Sequence, residues 1–189
     1  MPADRGPHGS AAPRIPVETV RFASYGRPWL IVLRGPRAMA FDRWLVRRAG
    51  FSLVSLQYAL AGRHRYSPTL LLTTIGARSG ALRQAALPYL ERDGTLILVG
   101  SKGGGPTDPQ WVRNLRRDGR CWVHIGRRQL PAIGHIADER ERAELYDFVC
   151  QNKPNVPHYQ QRADTFGRAI PFAVLSIRAG AGANEAADR

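Results

Sequence analysis

The residues of this chain best suited to chemistry lie in two glycine-flanked turns, Gly76-Ala77-Arg78-Ser79-Gly80 and Ser101-Lys102-Gly103-Gly104-Gly105. The first follows the apolar, partly β-branched run from Leu70 to Ile75, which suits a buried strand, and Arg83 lies just beyond it. Flanking glycines let the backbone turn tightly and offer its N–H groups. Arg78 and Arg83 can each pair bidentately with a phosphate or carboxylate; the alternative is a basic hairpin turn facing solvent. The second turn follows the strand-like Thr95 to Gly100. Consecutive glycines are entropically costly unless backbone must approach something closely. The 28 basic side chains are 26 arginines and two lysines, Lys102 and Lys153, so a lysine inside the glycine run stands out. A compact ammonium fits over a phosphate, and the alternative is a flexible loop with a stray lysine. Together the turns predict a place to hold something flat, anionic and nucleotide-sized.

The elements that must position these turns follow from local pattern. After the second turn, Asp108 is the expected helix cap, Pro109 the first helical residue, and Trp111, Val112 and Leu115 one apolar face, with Asp118-Gly119 as the stop. That face is expected in the core, while Trp111 and Asn114 lie near enough to the glycine turn to meet a stacked ring. Residues 38–62 read as helical, broken at Gly50. Strands are predicted over 69–75, 83–92, 95–101, 120–125, 129–136 and 171–178, with Asp93-Gly94 a strong short-hairpin signal. Asp138-x-x-Glu141 resembles a capping box for a helix whose apolar face is Leu145, Phe148 and Val149, and a short helical turn is expected around Tyr159. The alternation of Cys121, Val123 and Ile125 with Trp122 and His124 makes His124 structural. Hairpins this short exclude crossovers, so the expected fold is mainly β with α (α+β), a six-stranded, mostly antiparallel barrel with flanking helices.

Composition narrows the function. A chain of 189 residues suits one domain with appendages. Residues 1–37 are expected to form a flexible arm and 179–189 a flexible tail, around a helical segment at 38–62 and a barrel at 66–178. No apolar run reaches the about 18 residues of a membrane span, and the first residues lack the apolar stretch of a signal peptide. Cys121 and Cys150 form no redox or metal motif, so reduced, cytosolic thiols are expected. The five histidines show no metal-ligand spacing. The net charge of +13 includes Arg34, Arg37, Arg43, Arg47 and Arg48, interleaved with Phe41, Trp44 and Leu45. Such a segment lies on an anionic membrane surface, or packs on the barrel with its arginines solvated. No recognition helix or aromatic-interleaved RNA motif accompanies the charge, so nucleic acid is not an expected partner.

The stretches TTIGARSG, LRQAALPYLERDG, SKGGGPTDPQWVRNL and PHYQQRADTFGRAIPFAVL, in this order and spacing, resemble the deazaflavin-dependent nitroreductase family, actinobacterial split-β-barrel proteins that use coenzyme F420. The resemblance covers residues 66–178, and its most specific part is the Ser-Lys-Gly-Gly turn followed by Pro-x-Trp-x-x-Asn-Leu. It implies that the cofactor's phosphate and oligoglutamyl tail lie against Ala77, Arg78 and Ser79 with Arg83. Relatives often carry two adjacent basic residues in this turn, and this chain has Ala77 then Arg78. The strand Arg83, Gln84, Ala85, Ala86, Leu87, Pro88 is implied to border the cofactor. Val99, Gly100, Ser101 and Lys102 would line its ring and phosphate, and Gln110, Trp111, Val112, Arg113 and Asn114 its opposite wall.

The reaction implied is hydride transfer from reduced deazaflavin to a conjugated small molecule such as a quinone, enone or nitroaromatic, with no metal required. Of three tyrosine positions around the relatives' substrate pocket, this chain keeps Tyr159 and has Lys153 and Val156 at the others; Val156 is counted with the cofactor contacts. Tyr159 or Ser101 is the implied proton donor, with packing the alternative role for Tyr159. Relatives are often membrane-associated, which implies a cytoplasmic protein peripheral to the inner face of the membrane. Two alternatives remain, an FMN-dependent split-barrel oxidoreductase and a non-enzymatic carrier of deazaflavin or lipid. The resemblance does not specify the oligomeric state.

Overall fold

The computed structural model describes residues 30, 32–62, 66–126 and 128–178. The expected tail over 179–189, and most of the arm over 1–37, lie outside the described residues.

Strands β1 (Thr69–Ile75), β2 (Leu82–Arg92), β3 (Thr95–Val99), β4 (Arg120–Ile125), β5 (Arg128–Ile136) and β6 (Phe172–Ile177) pair antiparallel throughout. They close into a barrel in the order β1-β2-β3-β6-β5-β4. The six-stranded antiparallel expectation holds. Asp93 and Gly94 both adopt positive φ, 51° and 74°, the pattern of the type I′ turn that matches strand twist. β3 stops at Val99 rather than at 101, because Ser101 turns helical and leads into a 3-10 segment, Lys102–Gly104.

Alternation sorts side chains to the two faces of the barrel wall. Inward lie Leu70, Leu72, Leu96, Leu98, Val123 and Leu175, joined by Trp111, Val112 and Leu115 from α3 (Gln110–Arg117). Outward, Ile97, Phe172 and Val174 are covered by Leu145 and Val149 of α4 (Glu139–Asn152) and by Val156 and Ala163 of α5 (Val156–Asp164). Each fully buried large aliphatic side chain contributes about 1.5–3 kcal/mol. Asp138 caps α4 as expected, accepting from the Glu141 N–H at 2.8 Å. The Glu141 carboxylate, however, bonds the His135 ring, so only half of the capping box forms.

The helical segment expected over 38–62 is α1 (Gly35–Ala49) and α2 (Leu53–Gly62), parted at Gly50. Asp42 of α1 is 2% exposed. Its carboxylate accepts from the Ser52 hydroxyl at 2.8 Å and the Val54 N–H at 3.1 Å, so α1 caps α2 from outside. His124 bonds the Arg47 carbonyl at 3.0 Å, fastening α1 to β4 and giving that histidine the structural role expected of it. The basic segment therefore packs on the barrel.

One expectation fails at the start of α3. Asp108 does not cap; Pro109 flanks the helix and no side chain caps it. The Asp108 carboxylate instead pairs with Arg116 and Arg168. The Arg168 side chain is 8% exposed and reaches Asp108 at 2.7 Å through Nε. Its Nη1 donates to the carbonyls of Ser101 at 3.1 Å and Gly105 at 2.9 Å, and its Nη2 to that of Gly100. The ion pair outcompeted the cap because a buried guanidinium needs both a counter-charge and acceptors for its five donors. Burial would raise the Asp108 carboxyl, but the hydrogen bonds and charges of Arg168 and Arg116 outweigh it and hold its pKa below 3.8.

Replacing Arg168 with Ala should therefore destabilise the fold by about 3–5 kcal/mol, since it leaves Asp108 only the half-exposed Arg116 as counter-ion and removes the donors of the Gly100 and Gly105 carbonyls. Arg168→Lys should recover only part of this, because an ammonium lacks the planar fork. Urea denaturation measures both. In wild type the Asp108 contribution is complete above the unfolded carboxyl's pKa and lost as pH falls through the lower folded value, a dependence that Arg168→Ala should flatten.

Candidate functional site

Two clefts open side by side along β2. The smaller, about 260 Å³, is lined by Gly76, Ala77, Arg78, Ser79, Arg83, Gln110 and Asn114. Its cations are Arg78 and Arg83, no carboxylate lines it, and neither guanidinium is ion-paired within the described residues. Asn114 is fully buried. Its Nδ2 donates to Thr74 Oγ1 at 2.9 Å, while its Oδ1 accepts from the Ala77 N–H at 3.0 Å and from Gln110 Nε2 at 3.1 Å. The turn is thus braced against α3 by a buried amide. The Ala77 N–H, expected to face a ligand, is already satisfied.

The larger cleft, about 440 Å³, begins at the next residue of β2. Gln84, Ala85, Ala86 and Pro88, with Val99 and Ser101, form one wall. Met39, Asp42 and Arg43 of α1 and Ser52, Val54, Ser55 and Tyr58 at α2 form a second. Ser67, Lys153, Asn155, Val156 and Tyr159 complete it. Both residues expected as proton donors, Ser101 and Tyr159, and Val156 therefore face the same space.

Six expected contacts line neither cleft. Leu87 packs against the barrel core, and Trp111 and Val112 belong to it. The Gly100 N–H bonds the Pro171 carbonyl at 2.8 Å, and a Cβ there would sit 2.8 Å from Pro171 Cγ. Arg113 is exposed and bonds Gln110 at 2.9 Å. Lys102 is exposed as well, its ammonium on Thr107 Oγ1 at 2.9 Å. The glycine run has its own explanation. Gly104 takes φ of 71°, and a Cβ on it would lie 2.5 Å from the Tyr159 carbonyl. The close approach is made by the backbone of α5.

Sequence reasoning missed the wall supplied by α1 and α2, because nothing local says against which strand a helix packs. It noticed Lys153 only as a replaced tyrosine. The Lys153 ammonium donates to Ser67 Oγ at 3.3 Å and joins no ion pair among the described residues. Burial pushes its pKa down to about 8. Cys121 is a buried free thiol whose pKa burial raises to about 11, so it is no nucleophile at neutral pH. Among the described residues no group of His, Cys, Asp or Glu is placed to hold a metal.

The closed antiparallel barrel thus carries a dicationic cleft beside a larger mixed one, a combination chemically suited to an anionic, ring-bearing ligand. Sequence comparison narrows this: the F420H(2)-dependent quinone reductase profile matches residues 52–176, and the chain belongs to that family. An F420H(2)-dependent quinone reductase of Mycobacterium tuberculosis H37Rv is 33% identical over 155 residues, covering 74% of this chain and 100% of the relative. The equivalent protein of strain CDC 1551 matches to the same extent. Among solved structures, an F420-H2 dependent reductase superposes with a TM-score of 0.51 at 31% identity, covering 58% of this chain and 94% of the other. Another solved structure, a domain-swapped dimer, gives a TM-score of 0.51 at 31% identity, covering 61% of this chain and 85% of the other. The chain is an oxidoreductase whose coenzyme is F420.

Lys153→Met should stabilise the protein at pH 7 by about 2–4 kcal/mol. The folded amine titrates near 8 and the unfolded one near 10.5, so burial of the charge opposes folding at all pH values below the lower one. Wild-type stability should rise between these two values, where the folded state loses its proton first, and the advantage of the variant should vanish above them. Denaturation midpoints at pH 7 and pH 10.5 measure the effect; an equal gain at both would mean that packing, not charge, is responsible.

Proposed function

We propose that this chain reduces quinones with F420, the anionic tail of the coenzyme held at Arg78 and Arg83 and its ring alongside Gln84, Ala86, Pro88, Val99 and Ser101. The observation that carries this reading is the uncompensated Arg78–Arg83 pair opening, through the adjacent β2 positions Arg83 and Gln84, onto a cleft with room for a flat ring and an acceptor. Bound reduced F420 supplies a hydride; the protein's part is binding, alignment and charge placement. The two guanidiniums fix the tail by charge-assisted hydrogen bonds. Asn114 holds the turn that carries Arg78, and Arg168 holds the loop that carries Ser101. Enones and nitroaromatics are electronically similar acceptors, and the same site would serve them. Lys153 and Val156 in place of tyrosines give its acceptor side a different chemistry from that of the tyrosine-rich relatives.

The membrane is the proposed source of acceptor. α1 and α2 leave Phe41, Trp44 and Leu60 exposed at 48%, 56% and 56%, with Phe41 stacked on Trp44 at 5.8 Å. Arg37, Arg47 and Arg48 are exposed on α1. The same helices wall the larger cleft through Met39, Arg43 and Tyr58. Among the described residues no helix is long and apolar enough to cross a bilayer, so the contact would be peripheral, at the cytoplasmic face, with lipophilic quinone entering beside α1.

Fluorescence titration with F420 tests the cofactor site. Arg78→Ala and Arg83→Ala should each weaken binding by about 1.5–3 kcal/mol, the worth of a hydrogen bond to a charged group, and raised salt should weaken the wild type. Lys102→Ala should matter less, because its ammonium is exposed and occupied by Thr107. Unchanged affinity in both arginine variants would remove the smaller cleft from the site, and tight binding with no quinone turnover would favour a carrier. For the membrane contact, cosedimentation should be stronger with phosphatidylglycerol than with phosphatidylcholine vesicles, and Trp44→Ser should weaken it. Equal binding to both vesicles would rule out the electrostatic component.

A further inference from the structure

Lys153 is the charged group that this cleft leaves least explained. It sits at the C-terminal end of α4, where its own N–H bonds the Val149 carbonyl at 2.7 Å and its carbonyl accepts from Val156 at 3.0 Å. Both turns of chain beside it are therefore fixed, and a helix C-terminus favours a cation. An ammonium carries three N–H donors. One reaches the neutral Ser67 hydroxyl, no carboxylate among the described residues ion-pairs with it, and the residue lines the larger cleft. The cleft's remaining titratable groups are Asp42 and Arg43 from α1, Tyr58 from α2 and Tyr159 from α5. Asp42 is committed to Ser52 and Val54, and Arg43 adds charge of the same sign as Lys153. One turn earlier, α4 carries the free thiol of Cys150. A buried cation without a counter-ion is costly, and the missing negative charge is what quinone reduction generates.

Resting on the reductase reading of this cleft, we propose that the Lys153 ammonium bonds the acceptor oxygen and donates the proton that completes quinol formation. The bookkeeping closes with one proton. When bound, the reduced deazaflavin would supply a hydride to the quinone, giving a hydroquinone monoanion, and would release its own remaining proton to solvent. A Lys153 N–H bond then breaks, an O–H bond forms on the monoanion, and the neutral amine regains its proton from water. The positive charge also favours the developing oxyanion before the proton moves. With its folded pKa near 8, the group is protonated at neutral pH yet a far better acid than an exposed lysine, the match that general acid catalysis requires. Ser101 and Tyr159, facing the same cleft, then serve as positioning groups.

The test uses the full chain with reduced F420 and 2-methyl-1,4-naphthoquinone. Lys153→Met should lower kcat about 100-fold, within the usual range for a lost general acid, with F420 affinity within twofold of wild type. Wild-type kcat should fall as pH rises through about 8, and that limb should be absent from Lys153→Met. Lys153→Arg, which stays protonated, should keep part of the rate with no limb below pH 9. A second readout needs no coenzyme: tryptophan quenching by the anionic form of 2-hydroxy-1,4-naphthoquinone should show affinity at least tenfold lower in Lys153→Met, a larger loss than for the neutral methyl analogue. A kcat within threefold of wild type, an alkaline limb that survives in Lys153→Met, or equal affinity for the anionic quinone would each overturn the role. Wild-type protein that binds F420 yet never oxidises its reduced form with quinone would overturn the reductase reading itself, and the proton role with it.

Discussion

The Arg168 guanidinium is surrounded by the Asp108 carboxylate and the carbonyls of Gly100, Ser101 and Gly105. A loop that runs inward from the end of β3 leaves its carbonyls without ladder partners, and buried carbonyls must find donors. One side chain from the approach to β6 supplies them all. It thereby fixes where Ser101 stands, where α3 begins and how closely the loop lies on α5, where Gly104 meets the Tyr159 carbonyl. The geometry of both clefts descends from that closure, since α3 carries Gln110 and Asn114 to one and the loop carries Ser101 to the other.

The two clefts differ in how their charge is placed. The smaller cleft is solvent-facing and has two guanidiniums, suited to a flexible polyanion whose hydration is only partly lost. The larger cleft has a single part-buried lysine ammonium, whose proton is made labile by the same desolvation that makes it costly. That cost is a departure from optimal stability of the sort expected where a group must change protonation state. Asn114 does the complementary work without charge, because a buried amide offers two donors and an acceptor at a junction of three elements.

Helices α1 and α2 decide what the barrel can accept. The barrel alone would leave Gln84, Ala86 and Pro88 as an open outer surface, and the helices convert that surface into a cleft. They do so through the carboxylate of Asp42, both of whose oxygens are engaged in joining α1 to α2. Their outer face, with Phe41 stacked on Trp44 among arginines, is separate from the face that walls the cleft.

The strand pattern, the Asp93-Gly94 hairpin and the order of the motifs were sufficient to specify the barrel, because each depends on periodicity or on turn chemistry confined to a few neighbours. The basic turn with Arg78 and Arg83 was legible for the same reason, its charges lying within one hairpin. Roles that depend on long-range partners were not. Asp108 looked like a cap and became a counter-ion to a residue 60 positions away; Gly104 suggested a ligand and met a helix backbone; Trp111 suggested a stacking wall and filled the core. Lys153 showed its type and little else. That it is part-buried, joins no ion pair among the described residues and lines the cleft follows from α4 ending where it does against the segment before β1. Sequence by itself determined the local conformations and the coenzyme family. Tertiary packing alone decided which polar groups lost their water, and with it which of them remain available for chemistry.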